Sequence, residues 1–118
     1  EAVLYGWTKG AHKILKGSGR STVFEYARPH RNKEHPSMKP VELIVDMLGR
    51  SGHAGAVVLD PFGGSGSTLI AAARLGQRAR LIELDPRYCD VIRRRWTQWA
   101  IAHNVDPGPG ALAPVEEG

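Results

Sequence analysis

Residues Ala56–Thr68 read AVVLDPFGGSGST, and the reading of this stretch decides the fold. Ala56 to Asp60 is a continuous apolar run ending in an acid, the pattern of a parallel strand buried on both faces. Pro61 to Gly66 then breaks any regular element. Ser67 to Leu75 is rich in alanine and leucine and apolar nearly all round, which predicts a helix packed closely on a sheet, with Gly76 able to cap its C-terminus. Next, RARLIEL at Arg78–Leu84 predicts a second strand. From Pro86 to about Ala102 the residues Tyr88, Val91, Ile92, Trp96 and Trp99 fall on one helical stripe, with Arg93, Arg94 and Arg95 to the side as a solvated face. The order strand, glycine turn, helix, strand, helix is that of an α/β protein with a βαβα unit.

Upstream of this unit, Val41, Ile44, Val45 and Leu48 recur at i, i+3, i+4 and i+7 after Pro40, which predicts an amphipathic helix ending near Gly49 and Gly52. The preceding ARPHRNKEHPSMKP carries three prolines and reads as a loop. Val3–Trp7 and Ser21–Tyr26 are short β-prone runs joined by a basic, glycine-punctuated loop, and predict an antiparallel hairpin. From Asn104 onward glycine and proline are too frequent for a packed element, so a loose tail is expected. These boundaries divide the chain into residues 1–34, a hairpin and loop; 35–103, a ligand-binding βαβα unit with its preceding helix; and a flexible tail, 104–118. The 118 residues suit one domain, and the net charge of +4 leans toward an anionic partner. The single cysteine, Cys89, excludes an intrachain disulfide and reads as a small buried hydrophobe. No apolar run approaches a membrane span or a signal peptide, so a cytoplasmic protein is expected.

The glycine turn limits the ligand. Gly64 and Gly66 supply the first two positions of the dinucleotide pattern G-x-G-x-x-G, but Leu69 holds the third. The triphosphate loop also fails, because no lysine precedes Ser67 or Thr68. A nucleoside with a small charged end, such as S-adenosyl-L-methionine, fits better. Glu83 stands at the end of the second strand, 23 residues after Asp60, where a carboxylate can accept both ribose hydroxyls. Asp85 is better placed to cap the following helix than to bind a ligand.

HPSMKPVELI, VVLDPFGGSGSTLIAA and LIELDPRYCDVIRRRW resemble, in order and spacing, the C-terminal half of the β-group DNA amino-methyltransferases, which methylate adenine N6 or cytosine N4. EAVLYGWTKGAH and TVFEY resemble the strand pair before those motifs in phage and prophage-type members. The resemblance covers about residues 1 to 100. It implies a partial Rossmann-like methyltransferase fold, S-adenosyl-L-methionine as cofactor, double-stranded DNA as substrate, and a bacterial or phage setting. It implies that Asp60, Pro61, Phe62, Gly63, Gly64, Ser65 and Gly66, with Thr68, wrap the methionine end of the cofactor. Glu83 and Asp85 fall on the family's acidic motif. His35, Pro36, Ser37, Met38, Lys39 and Pro40 would lie against the amino-acid portion, where Lys39 is the natural partner of a carboxylate and Ser37 a second donor.

One departure limits the activity of the chain alone. These enzymes carry a D/S/N-P-P-Y/F/W loop that holds the flipped base. Here the Asp-Pro pairs are Asp60-Pro61, Asp85-Pro86 and Asp106-Pro107, followed by Phe62, Arg87 and Gly108, and none completes the motif. No catalytic residue is therefore assigned, and the missing loop is expected upstream or on a complementary chain. Without that half an apolar sheet edge loses its cover, so association with it or with a second copy is expected. Lys13, Lys16 and Arg20 of one loop, with Arg28, Arg31 and Lys33 of the next, could neutralise DNA phosphates. An adenine-N6 enzyme is the leading reading. The alternatives are a cytosine-N4 enzyme and an inactive cofactor-binding remnant.

Overall fold

The computed structural model describes residues 2–11, 23–27 and 38–113. Its regular elements are α1 (Val41–Ser51), β1 (Val57–Asp60), α2 (Ser67–Arg74), β2 (Arg78–Leu81) and α3 (Pro86–Ala102). They follow the order expected of a partial Rossmann-like α/β unit. β1 and β2 pair in parallel, Val57 opposite Arg78 and Asp60 opposite Leu81, with α2 as the crossover between them. Both strands are shorter than their apolar runs, although Ile82 N–H still donates to Asp60 O at 2.9 Å.

Each helix begins and ends for a local reason. Pro40 precedes α1 in extended geometry (ψ 128°), Glu42 stands in the first turn and Arg50 in the last, so the charges complement the helix dipole. The Asp85 side chain caps α3 by accepting the Arg87 N–H at 2.9 Å, with Pro86 in the first turn. Gly76 follows α2 at φ +65°, the left-handed geometry that closes a helix at low steric cost. α2 is the central element: Ile70, Ala71 and Ala72 are buried as it packs against α1, β2 and α3. An exposed bidentate contact, Arg74 to Glu42 at 2.6 and 3.2 Å, joins α2 to α1.

Among the described residues the sheet is covered on one face only. Val57 and Leu59 are 57% and 67% exposed, Ile82 and Leu84 are also open, and no large side chain among the described residues is fully buried. The expected burial of the first strand on both faces is therefore not met, because α1, α2 and α3 leave this side bare. Among the described residues β1 pairs with β2 alone.

The expected hairpin is not formed by the described residues. Positions 3–7 and 23–26 carry no strand; Ser21 and Thr22 of the second run and positions 12–20 of the joining loop lie outside the described residues. An unsupported two-stranded ribbon is marginal in water, and residues 23–27 instead meet α1. The Tyr26 hydroxyl donates to Asp46 Oδ2 at 2.8 Å, Arg50 binds Asp46 at 2.8 and 3.1 Å, and its guanidinium lies 4.6 Å from the Phe24 ring centre.

Residues 105–113 hold no helix or strand, yet the first part of this segment is tied down. Trp96 Nε1–H donates to Pro107 O at 2.9 Å, Arg93 Nε–H to Gly110 O at 2.6 Å, and Val105 N–H to Ala100 O at 2.8 Å. Trp96 and Trp99 stack at 5.5 Å, and Trp99 stacks on His103 at 4.2 Å. No helix among the described residues is long and apolar enough to cross a membrane.

Candidate functional site

The loop from Asp60 to Gly66 leaves the C-terminal end of β1 and turns back toward α2, at the edge where ligands of open α/β sheets bind. Asp60 Oδ1 accepts the Phe62 N–H at 3.0 Å, a local turn that starts the loop. Gly63 N–H donates to Ile82 O at 2.8 Å and Gly66 N–H to Gly63 O at 2.8 Å. The first bond anchors the loop just beyond β2, and the second closes a turn within the loop.

Two of the glycines answer to α3 as well as to any ligand. A Cβ on Gly66, which has φ +81°, would stand 3.1 Å from Ile92 Cγ1; one on Gly63 would stand 3.2 Å from Ile92 Cδ1. α3 thus packs directly beneath the loop backbone. Arg95 follows one turn later and donates Nη1–H to Ser65 O at 2.5 Å, with Ser67 Oγ at 3.5 Å from the same nitrogen. The expectation of a solvated face for Arg95 is corrected here. Its i+3 spacing from Ile92, on the apolar stripe, was the available signal.

Glu83 closes the site from the segment just after β2. Its Oε2 accepts the Gly64 N–H at 2.7 Å and its Oε1 accepts the Asp85 N–H at 2.9 Å. These bonds, that from Asp85 first, hold its carboxyl below the usual glutamate range, against burial and the Asp85 charge. A carboxylate offers about four lone-pair sites, so two backbone bonds leave acceptor capacity for a ligand. Cys89 is half-buried beside this strand end, its Sγ 3.5 Å from Glu83 O.

The opposite wall is the segment before α1. Ser67 Oγ–H donates to Lys39 O at 3.1 Å, which draws Met38, Lys39 and Pro40 toward the loop. Between the walls lies an open cavity of about 340 Å³, within the range of small-molecule sites. Met38, Lys39 and Ile44 line one side; Asp60, Phe62, Gly63, Gly64, Ser65, Ser67 and Thr68 line the other; Glu83 completes it. Phe62 is 86% exposed at its rim.

Of the residues expected at a cofactor site, Met38, Lys39, Asp60, Phe62, Gly63, Gly64, Ser65, Thr68 and Glu83 meet at this cavity. Pro61 and Gly66 belong to the same loop without lining it. Asp85 turns to its own helix: its carboxylate caps α3 and pairs with Arg87 at 2.6 Å, which lowers its pKa. His35 and Ser37 lie outside the described residues, as do Lys13, Lys16, Arg20, Arg28, Arg31 and Lys33. Sequence reasoning did not find Ser67, whose hydroxyl bridges the walls, or Ile44 of α1.

A parallel strand pair, a glycine loop on a helix and an acid two residues beyond the second strand define a nucleoside-binding α/β unit. A family model described as DNA methylase, of the N6-adenine/N4-cytosine type, matches residues 16–94. The chain belongs to this DNA methylase family. It is 31% identical over 85 residues to type II methyltransferase M.HpaI of Haemophilus parainfluenzae, covering 69% of this chain and 27% of that protein. It is 32% identical over 102 residues to orphan methyltransferase M.BamHII of Bacillus amyloliquefaciens, covering 86% and 37%. The crystal structure of M1.HpyAVI in complex with S-adenosylmethionine superposes with a TM-score of 0.58 at 25% identity, covering 74% of this chain and 45% of that one. The chain therefore spans less than half the length of these proteins.

Proposed function

We propose that the chain is the cofactor-binding part of an S-adenosyl-L-methionine-dependent DNA methyltransferase acting on adenine N6, with residues 35–103 as the functional unit. The observation that carries this reading is the convergence of Lys39, the Asp60–Gly66 loop and Glu83 on one cavity, in a member of the family. The residues suit the cofactor's two ends. Glu83 would accept the ribose hydroxyls through its remaining lone pairs. The loop would face the sulfonium and methionine chain, and Lys39, with Ser37, would meet the carboxylate. Bound there, the cofactor supplies an electrophilic methyl group, and the protein's work is to align it with the acceptor nitrogen and exclude water.

No residue of this chain holds the target base in the reading, because no D/S/N-P-P-Y/F/W motif occurs in its 118 residues. The base-holding loop would come from a further portion of the enzyme or a complementary chain. The bare face formed by Val57, Leu59, Ile82 and Leu84, with the open edge of β1, supports docking of such a portion, since parallel sheets are normally buried on both sides. The basic residues Lys13, Lys16, Arg20, Arg28 and Arg31 would then contact the phosphates of double-stranded DNA. The lack of the motif also supports a second reading, a cofactor-binding remnant. Calorimetric titration with S-adenosylmethionine tests the site: binding should weaken at least tenfold in Glu83→Ala, and undiminished affinity or preference for NAD overturns the assignment. Adding a chain that carries the base-holding loop tests the enzyme: methyl transfer to adenine N6 is expected, and none from a correctly assembled pair would leave the remnant.

A further inference from the structure

The two walls of the cavity are joined from behind. Arg95 on α3 donates to Ser65 O at 2.5 Å and stands 3.5 Å from Ser67 Oγ, while Ser67 Oγ–H donates to Lys39 O at 3.1 Å. Ser65 and Ser67 are both buried at 5% exposure, so this route is shielded from competing water. The contacts reach 28 and 30 residues along the chain and connect three elements: α3, the start of α2 and the segment before α1. None of these polar groups needs to touch a ligand to matter.

We infer that Arg95 is a positioning residue for the cavity. It sets the path of the Ser65 peptide and, through Ser67, the distance of the Lys39 segment from the glycine loop. Coulomb attraction between a guanidinium and a carbonyl oxygen inside a partly buried site is stronger than a neutral hydrogen bond, so Arg95 can hold a peptide orientation that the glycines leave otherwise soft. Ile92 fixes the loop's depth by contact, and Arg95 fixes its orientation by charge. An arginine is suited to this because its rigid, planar guanidinium holds one nitrogen, Nη1, toward both Ser65 O and Ser67 Oγ; lysine offers only a mobile point charge. For the ligand, the inference rests on the cofactor reading given above.

The full chain tests it in two arms that separate the two ideas. Without ligand, the backbone carbonyl carbon resonances of Ser65 and Lys39 should shift in Arg95→Gln, while that of Val58 within β1 should not. In Ser67→Ala the Lys39 carbonyl should shift with Ser65 changed less. With S-adenosylmethionine as the probe, Arg95→Gln should lose affinity ten- to a hundredfold, the size expected for a charge-assisted hydrogen bond, and Arg95→Lys should recover part of it. Should Arg95→Gln not fold, Arg95→Lys and Ser67→Ala carry the same comparison. Carbonyl shifts unchanged at Ser65 and Lys39, or unaltered affinity in a folded Arg95→Gln, overturns the inference. Wild-type chain that ignores S-adenosylmethionine but shows the coupled carbonyl shifts would overturn the cofactor reading and leave the role of Arg95 standing.

Discussion

The Glu83 carboxylate and the Gly64 amide, 19 residues apart in the chain, meet at 2.7 Å. This bond ties the acid two residues beyond β2 to the glycine loop and, after the larger effect of the Asp85 amide, draws its pKa down. A carboxyl with a lowered native pKa stabilises the fold fully above its unfolded value of about 4.3. That contribution is lost as pH falls through the lower native pKa. Carbon-detected titration of Glu83 should therefore show a midpoint below the ordinary range, accompanied by a shift of the Gly64 amide. A midpoint at or above that range would contradict the bond.

Gly66→Ala should destabilise the chain through two effects. The left-handed backbone costs a non-glycine residue about 1–2 kcal/mol, and crowding at a packed position adds about 1–3 kcal/mol. The added methyl would press on Ile92 Cγ1 and Cγ2, so beside Ile92→Ala, which removes both carbons, Gly66→Ala should lose part of its crowding cost but none of its backbone cost. Urea midpoints of the wild type, the two single variants and the double variant measure the difference. An equal cost of Gly66→Ala in both backgrounds would show that Ile92 does not limit the loop.

Removing residues 105–118 should loosen α3. Two side-chain hydrogen bonds disappear, Trp96 to Pro107 and Arg93 to Gly110, each worth about 0.5–1.5 kcal/mol. Indole fluorescence should move to longer wavelength and the thermal midpoint should fall. An unchanged emission spectrum would place the segment away from Trp96 in solution.

Leu59→Lys should have little effect on the isolated chain, within about 0.5 kcal/mol, since its side chain is already open to water. If a further portion of the methyltransferase docks on this face, the same substitution should weaken that association by tenfold or more, because it would bury an unpaired charge. Sedimentation of the assembled enzyme distinguishes the two states. Tight association despite Leu59→Lys would move the docking surface elsewhere.

Local patterns carried most of the element order. The spacing of Val41, Ile44, Val45 and Leu48, the run from Ala56 to Asp60 and the cap formed by Asp85 each encode their structure within a few neighbouring residues, and α1, β1 and the start of α3 follow them. The failed nucleotide patterns and the place of Glu83 likewise narrowed the ligand, because they depend on residue type and chain spacing alone. Other features depended on where distant segments meet. The hairpin expected from β-prone residues needs a partner surface, and residues 23–27 lie against Asp46 and Arg50 instead. An apolar strand does not state what covers it, so the exposure of Val57 and Leu59 emerged only from the assembled fold.

Arg93, Arg94 and Arg95 are three identical side chains in one run, and only tertiary packing separates them. Arg93 meets Gly110, whereas Arg95 enters beneath Ser65. The sequence by itself determined the element order from α1 to α3 and most of the kinds of group at the cavity, since both follow from short-range periodicity and chemistry. Tertiary structure decided which of those groups face one another, because Lys39, Ser67, Glu83 and Arg95 come together through helix and strand packing that no local spacing encodes.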